Sequence, residues 1–266
     1  MESLMSLVTL GSEGALAVIT IENPPQNRIN DRMAAELLAA IEAIEGGEFR
    51  AVLVRATGAD FSFGGDIMNW PGMTMRQLRA AFDTYMTVFN RFERLPLPVI
   101  AAVQGLCFGG GLELAVRADM IVAAESARFG HPEQSLGIVT VLGGIYRVAE
   151  RAGRSFASEW ALTSEQIPAA TMMQRGVVNC VVPDGELHQR ALELAMRAAA
   201  GPTRAYAAHK ALLRAWAEAG VAAADSAMFD IAMPLFETED VRRSLPSAVA
   251  ALKEGRPRPP MDFKGR

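Results

Sequence analysis

Short, nearly pure apolar runs alternate along the first half of the chain with longer segments whose apolar positions recur every three to four residues. Residues 15–21 (ALAVITI), 51–54 (AVLV), 99–103 (VIAAV), 120–124 (MIVAA) and 177–182 (VVNCVV) are of the first kind. Unbroken runs of small and β-branched residues suit strands buried on both faces. Residues 33–44 are of the second kind and place Leu37, Leu38, Ile41 and Ile44 on one helical face. Asn30 or Asp31 suits the N-cap and Gly46-Gly47 the stop. A long helix is expected within residues 75–94. Residues 23–27 (NPPQN) and 57–60 (TGAD) read as turns, because proline fixes φ and removes a donor. Strands spaced by helix-length segments predict an α/β layout, a parallel sheet with crossover helices.

The pattern changes after Pro183. Residues 186–200, 203–219, 221–236 and 240–253 are alanine-rich and helical, with no strand among them. They are more apolar than a free surface requires, which predicts burial of part of them against another subunit. Residues 255–260 carry three prolines and should be extended. The expected division is a core over 1–199 and a helical C-terminal oligomerisation region over 200–266.

Composition narrows the classes. The chain has 266 residues, 50% of them hydrophobic, enough for one large core. No apolar run approaches the ~20 residues of a membrane span, so no membrane partner is expected. Residues 1–10 lack the basic start of a secretory leader. Cys107 and Cys180 form no CxxC pair and no metal spacing, and His188 and His209 have no ligand spacing. A reduced, metal-free, cytoplasmic protein is expected. A net charge of −4 argues against nucleic acid as a partner. Neither a P-loop nor GxGxxG occurs.

The candidate chemistry centres on residues 98–113, PVIAAVQGLCFGGGLE. A strand leads through Gln104-Gly105 into Gly109-Gly110-Gly111, which opens a second apolar run containing Glu113. A helix N-terminus presents unpaired N–H groups, and glycines there let a ligand oxygen approach the backbone. A carboxylate in the same helix places acid–base chemistry beside an oxyanion site. The alternative reading makes Glu113 half of a helix-surface pair with Arg117, four residues on. For Glu133 it is an ordinary helix start after Pro132.

FSFGGDI at 61–67, the segment from Pro98 to Ile138 and LTSEQIPA at 162–169 together resemble the crotonase superfamily, the enoyl-CoA hydratases and isomerases. The resemblance covers nearly the whole chain. It implies a crotonase-like spiral of ββα turns, assembled as a homotrimer or a dimer of trimers. It implies an acyl-CoA thioester substrate, with coenzyme A part of that substrate and no separate cofactor. The implied reaction is addition of water to a 2-enoyl-CoA. Alternatives are double-bond isomerisation, decarboxylation or C–C hydrolysis, and a catalytically idle CoA-binding scaffold. Glu113 and Glu133 match the two catalytic glutamates. The N–H groups of Phe63 and Gly110 match the oxyanion hole, and Gly64, Asp66, Ile67, Gly109, His131 and Val141 match substrate-binding positions. Three departures stand out: bulky Phe63 where alanine is common, Met68 where a lysine often follows, and Thr140-Val141 in place of a Pro-Gly pair that helps position water.

Overall fold

The structure is a computed structural model that describes residues 5–266; residues 1–4, part of the stretch read for a leader, lie outside the described residues. The chain runs through β1 (Val8–Glu13), β2 (Leu16–Ile21), α1 (Asp31–Glu45), β3 (Ala51–Ala56), α2 (Met75–Glu93) and β4 (Val99–Val103). It continues through β5 (Leu106–Phe108), α3 (Gly110–Ala115), β6 (Met120–Ala124), β7 (Arg128–Gly130), α4 (Gly144–Ala152), α5 (Arg154–Thr163), β8 (Ile167–Pro168), α6 (Ala169–Gln174) and β9 (Cys180–Val182). It ends with α7 (Leu187–Ala199), α8 (Thr203–Ala232) and α9 (Glu239–Lys253).

Six strands form the main sheet in the order β1-β2-β3-β4-β6-β9, parallel except for the β1–β2 hairpin. Every residue of β4 is buried, as its unbroken apolar run requires. A second sheet, β5-β7-β8, stands beside the first. The chain takes the same path twice. It passes through β4 in the large sheet and β5 in the small one into α3, and then through β6 and β7 into a 3₁₀ turn, Pro132–Leu136. This is the expected ββα spiral, and it stacks the ends of β5 and β7 side by side.

The helix boundaries follow local chemistry. Asn30 is the N-cap of α1, its side chain accepting from Met33 N–H at 2.9 Å. Thr74 and Gln77 form a capping box at the start of α2. α7 packs on β2, β3, β4 and β6. The predicted boundary near Gly220 is a break inside α8, where Ala219 and Gly220 leave helical geometry. Residues 256–266 form no helix or strand, and the N–H groups of Lys264 and Gly265 donate to the buried Asp240 carboxylate at 2.6 and 2.8 Å.

Several elements depart from the sequence reading. β1 was not foreseen, because its outward residues leave too few apolar positions to register. The strands of the second sheet are only two or three residues long, too short to show a period. Within 177–182 only Cys180–Val182 is strand; Val177 and Val178 donate instead to the Met172 carbonyl. The expectation that nothing approaches a membrane span is also corrected. Thr203–Glu237 is long and apolar enough by length and composition, although α8 breaks in its middle. Leu213, Trp216, Val221, Phe229, Met233 and Phe236 are exposed along this stretch.

Candidate active site

The site lies where the two turns of the spiral end. Gly109 N–H donates to the Gly130 carbonyl at 3.1 Å, joining the end of β5 to the end of β7. α3 leaves one strand and the 3₁₀ turn leaves the other, so Glu113 and Glu133, 20 residues apart in sequence, face one cavity. The loop 61–66 is drawn alongside, because Phe108 N–H donates to the Ser62 carbonyl and Ser62 N–H to the Leu106 carbonyl. The cavity holds ≈ 30 Å³ and is lined by Gly65, Gly110, Glu113, Glu133, Val141 and a largely apolar wall. A larger cleft of ≈ 720 Å³ lies between α2, α4 and α8, but neither glutamate lines it. We take the smaller cavity as the site because both carboxylates meet there.

The two carboxyl groups sit in different surroundings. Glu113 is buried, and its Oε1 accepts from Leu142 N–H at 2.7 Å and Gly144 N–H at 3.0 Å. Burial raises its pKa; the two N–H donors and the guanidinium groups of Arg117 and Arg147 act the other way. Glu133 has a buried Oε2 with no hydrogen-bond partner. Burial first, and the charge of Glu113 second, push its pKa up to about 7. A carboxyl poised near neutrality beside one gripped by two N–H groups can exchange protons with a bound molecule. The surface-pair reading of Glu113 fails: Arg117 is buried and donates to the Glu113 backbone carbonyl at 3.0 Å, not to the carboxylate.

The backbone donors require one correction. Phe63 N–H is already bonded to the Gln26 carbonyl at 2.9 Å. Its ring packs against Phe108, 5.4 Å between centroids, with the Arg28 guanidinium 4.8 Å away, and forms no part of the cavity wall. Phe63 therefore does not offer the oxyanion donor. Gly65 and Gly110 both line the cavity, and a methyl group placed on Gly110 would stand 3.5 Å from Gly65 N. Sequence reading did not single out Gly65, which lies in a loop that has no period to fix its register.

The other expected positions scatter around this centre. Gly64 packs on the 108–110 backbone, where an added Cβ would meet the Phe108 carbonyl at 2.9 Å. Gly109 is the N-cap of α3. Asp66 N–H donates to the Ile29 carbonyl at 2.8 Å, and its carboxylate accepts from Met68 N–H at 3.2 Å. The Ile67 carbonyl accepts from Trp70 N–H, and Met68 is exposed. Val141 lines the cavity; the neighbouring N–H groups that bind a carboxylate are those of Leu142 and Gly144. His131 is buried but is not part of the cavity wall; its ring packs on Trp160, 4.3 Å between centroids. Burial lowers its pKa to about 4. Sequence reading also missed Ile29, Trp70, Phe82 and Tyr85, which form the apolar wall. On α2 these positions carry the signal of any amphipathic helix. Among the described residues no cluster of His, Cys, Asp or Glu is arranged to hold a metal ion.

Comparisons with known proteins show the family. Residues 11–257 match the family described as Enoyl-CoA hydratase/isomerase. The 2,3-dehydroadipyl-CoA hydratase of Escherichia coli is 32% identical over 264 residues, covering 98% of this chain and 100% of that protein. A probable mitochondrial enoyl-CoA hydratase 2 of Arabidopsis thaliana is 32% identical over 190 residues, covering 70% of this chain and 63% of its own length. A crystal structure of an enoyl-CoA hydratase subunit from Geobacillus kaustophilus superposes with a TM-score of 0.89 at 30% identity, covering 99% of this chain and all of that one. The chain belongs to the enoyl-CoA hydratase/isomerase family, within the crotonase superfamily.

Proposed function

We propose that the protein adds water across the double bond of a 2-enoyl-CoA. The observation that carries this reading is the convergence of two unlike carboxyl groups on one cavity that Gly65 and Gly110 also line. In this reading the thioester oxygen accepts from Gly65 and Gly110 N–H. Such fixed donors contribute roughly 3–4 kcal/mol each to an enolate-like transition state. Glu113, kept toward its charged form by Leu142 and Gly144 N–H, takes a proton from water as the oxygen bonds to C3. Glu133, able to hold a proton near neutral pH, delivers it to C2 as the enolate collapses. One carboxyl gains a proton and the other loses one, and exchange with solvent restores both.

Coenzyme A enters as part of the substrate, and the chemistry calls for no further cofactor. Residues 1–199 supply the site. The exposed apolar face of residues 200–266 suits subunit contacts in a trimer or a dimer of trimers.

The test is the rate of hydration of crotonyl-CoA and longer enoyl-CoA thioesters by wild type, Glu113→Gln and Glu133→Gln. Each amide keeps the shape and loses the proton, so each rate should fall by about 10²–10⁴-fold. Loss confined to Glu133→Gln would point to a single-proton isomerisation instead. Equal hydration by all three proteins would overturn the assignment of both glutamates.

A further inference from the structure

We infer that Arg147 and Glu93 are positioning residues for Glu113: Glu93 clamps the Arg147 guanidinium, which holds the turn whose N–H groups grip the Glu113 carboxylate. The inference rests on the proposed role of Glu113 and names what sets its geometry.

The chain of contacts is continuous. Arg147 donates from Nε and Nη2 to the two carboxylate oxygens of Glu93, at 2.7 and 2.5 Å. Its third donor, Nη1, reaches the Gly143 carbonyl at 3.2 Å. Gly143 lies between Leu142 and Gly144, whose N–H groups both bond to Glu113 Oε1. The turn is formed around this clamp. Gly143 has φ +87°, and a Cβ on it would stand 2.4 Å from Arg147 Nη1 and 2.1 Å from the Tyr146 hydroxyl. In the preceding loop Val139 is 72% exposed, while Leu142 is buried and the Thr140 hydroxyl accepts from Ile145 N–H at 3.4 Å. Glu93 also faces a second arginine. Arg117 Nε lies 3.7 Å from Glu93 Oε2, and Arg117 Nη1 donates to the Glu113 carbonyl. One carboxylate at the end of α2 thus pairs with two guanidinium groups, one bonded to the Glu113 carbonyl and the other to the Gly143 carbonyl. A bidentate pair only 13% exposed on the arginine side is far more directional than a surface ion pair.

A plain staple between α2 and α4 would use the same Glu93–Arg147 bond. The two readings separate in the titration of Glu113 and in the split between kcat and KM. The charged or titratable groups around Glu113 are Arg117 just past the end of α3, Arg147 and Tyr146 on α4, Glu93 and Tyr85 on α2, and His131 and Glu133 just after β7. In Arg147→Met all but one of these remain. The lost positive charge and the loosened N–H donors both favour protonated Glu113, so its titration midpoint should rise by about half a unit to one unit.

The experiment compares wild type, Arg147→Met, Arg147→Lys and Glu93→Gln. The Glu113 carboxyl is titrated by ¹³C NMR, its signal assigned with Glu113→Gln, and hydration of crotonyl-CoA is measured across pH. Expected for Arg147→Met are the raised midpoint, a matching shift in the acid limb of kcat/KM, and a kcat lowered tenfold or more with KM within about threefold. Arg147→Lys keeps the charge, so its midpoint should stay near wild type while kcat falls. Glu93→Gln should lower kcat as well, and it carries the test if Arg147→Met does not fold. Variants with lowered melting temperature but wild-type midpoint and kcat would overturn the inference, leaving the staple. A wild-type protein that titrates as expected yet hydrates no enoyl-CoA would overturn the proposed function and leave the positioning role standing.

Discussion

The carboxylate of Glu133 lies directly over the α-carbon of Gly109: a methyl group built there would stand 2.5 Å from Glu133 Oε1. The first glycine of the GGG run thus makes room for a carboxylate from the next turn of the spiral. Gly109 also has φ +47° and ψ −122°, outside the regions open to other residues.

Gly109→Ala is therefore expected to act twice. The strained backbone should cost about 1–3 kcal/mol of stability, and the methyl should displace Glu133. Hydration should fall at least tenfold, and the loss should exceed what reduced folding explains. Parallel measurement of melting temperature and kcat checks this.

Gly110→Pro removes one backbone donor from the cavity. Loss of one oxyanion donor costs about 10²–10³-fold in kcat in comparable sites. Wild-type turnover by a folded Gly110→Pro variant would place the thioester elsewhere.

Glu133 has a pKa raised from 4.5 to about 7 in the folded protein. The folded state therefore binds more protons than the unfolded state between these values, and stability falls as pH rises through that window. The contribution is full below about pH 4.5 and lost above about pH 7, of the order of 3 kcal/mol at most. Glu133→Gln should flatten the dependence and raise the melting temperature at pH 8 relative to wild type. In the same window hydration should decline on the alkaline side as Glu133 loses its proton. Thermal melts and rates at matched pH values test both.

Trp70 packs edge-on against Phe82, 5.2 Å between ring centroids, and walls a cavity of ≈ 30 Å³. Trp70→Ala should enlarge that space without unfolding the protein, because Trp70 is only partly buried on a short 3₁₀ turn. The ratio of kcat/KM for long over short enoyl-CoA chains should rise about tenfold, in line with the 1–3 kcal/mol that one or two methylenes contribute in an apolar pocket. An unchanged ratio would show that the acyl chain leaves by another path.

Phe229 and Phe236 are 73% and 57% exposed, and Trp216 and Met233 are exposed as well. Light scattering of the purified protein should show a trimer or hexamer. Phe229→Glu with Phe236→Glu should shift it toward monomer, since burying two unpaired carboxylates opposes assembly.

The sequence alone determined the α/β class, the buried strands at 15–21, 51–54 and 99–103, the break near Gly220 and the pairing of a GGG helix start with Glu113. These features are legible because unbroken apolar runs, caps and glycine stops act over a few neighbouring residues. Tertiary structure decided the rest. The second sheet is made of strands too short to carry a period, and only its β5–β7 pairing brings Glu133 to Gly109. The state of the 61–66 loop also depended on a distant partner, because the Gln26 carbonyl takes the N–H of Phe63, whereas Gly65 lines the cavity. The clamp from Glu93 through Arg147 to the Glu113 turn joins three elements far apart in sequence. Hydrogen-bond competition and charge proximity are properties of folded distance, and no spacing along the chain encodes them.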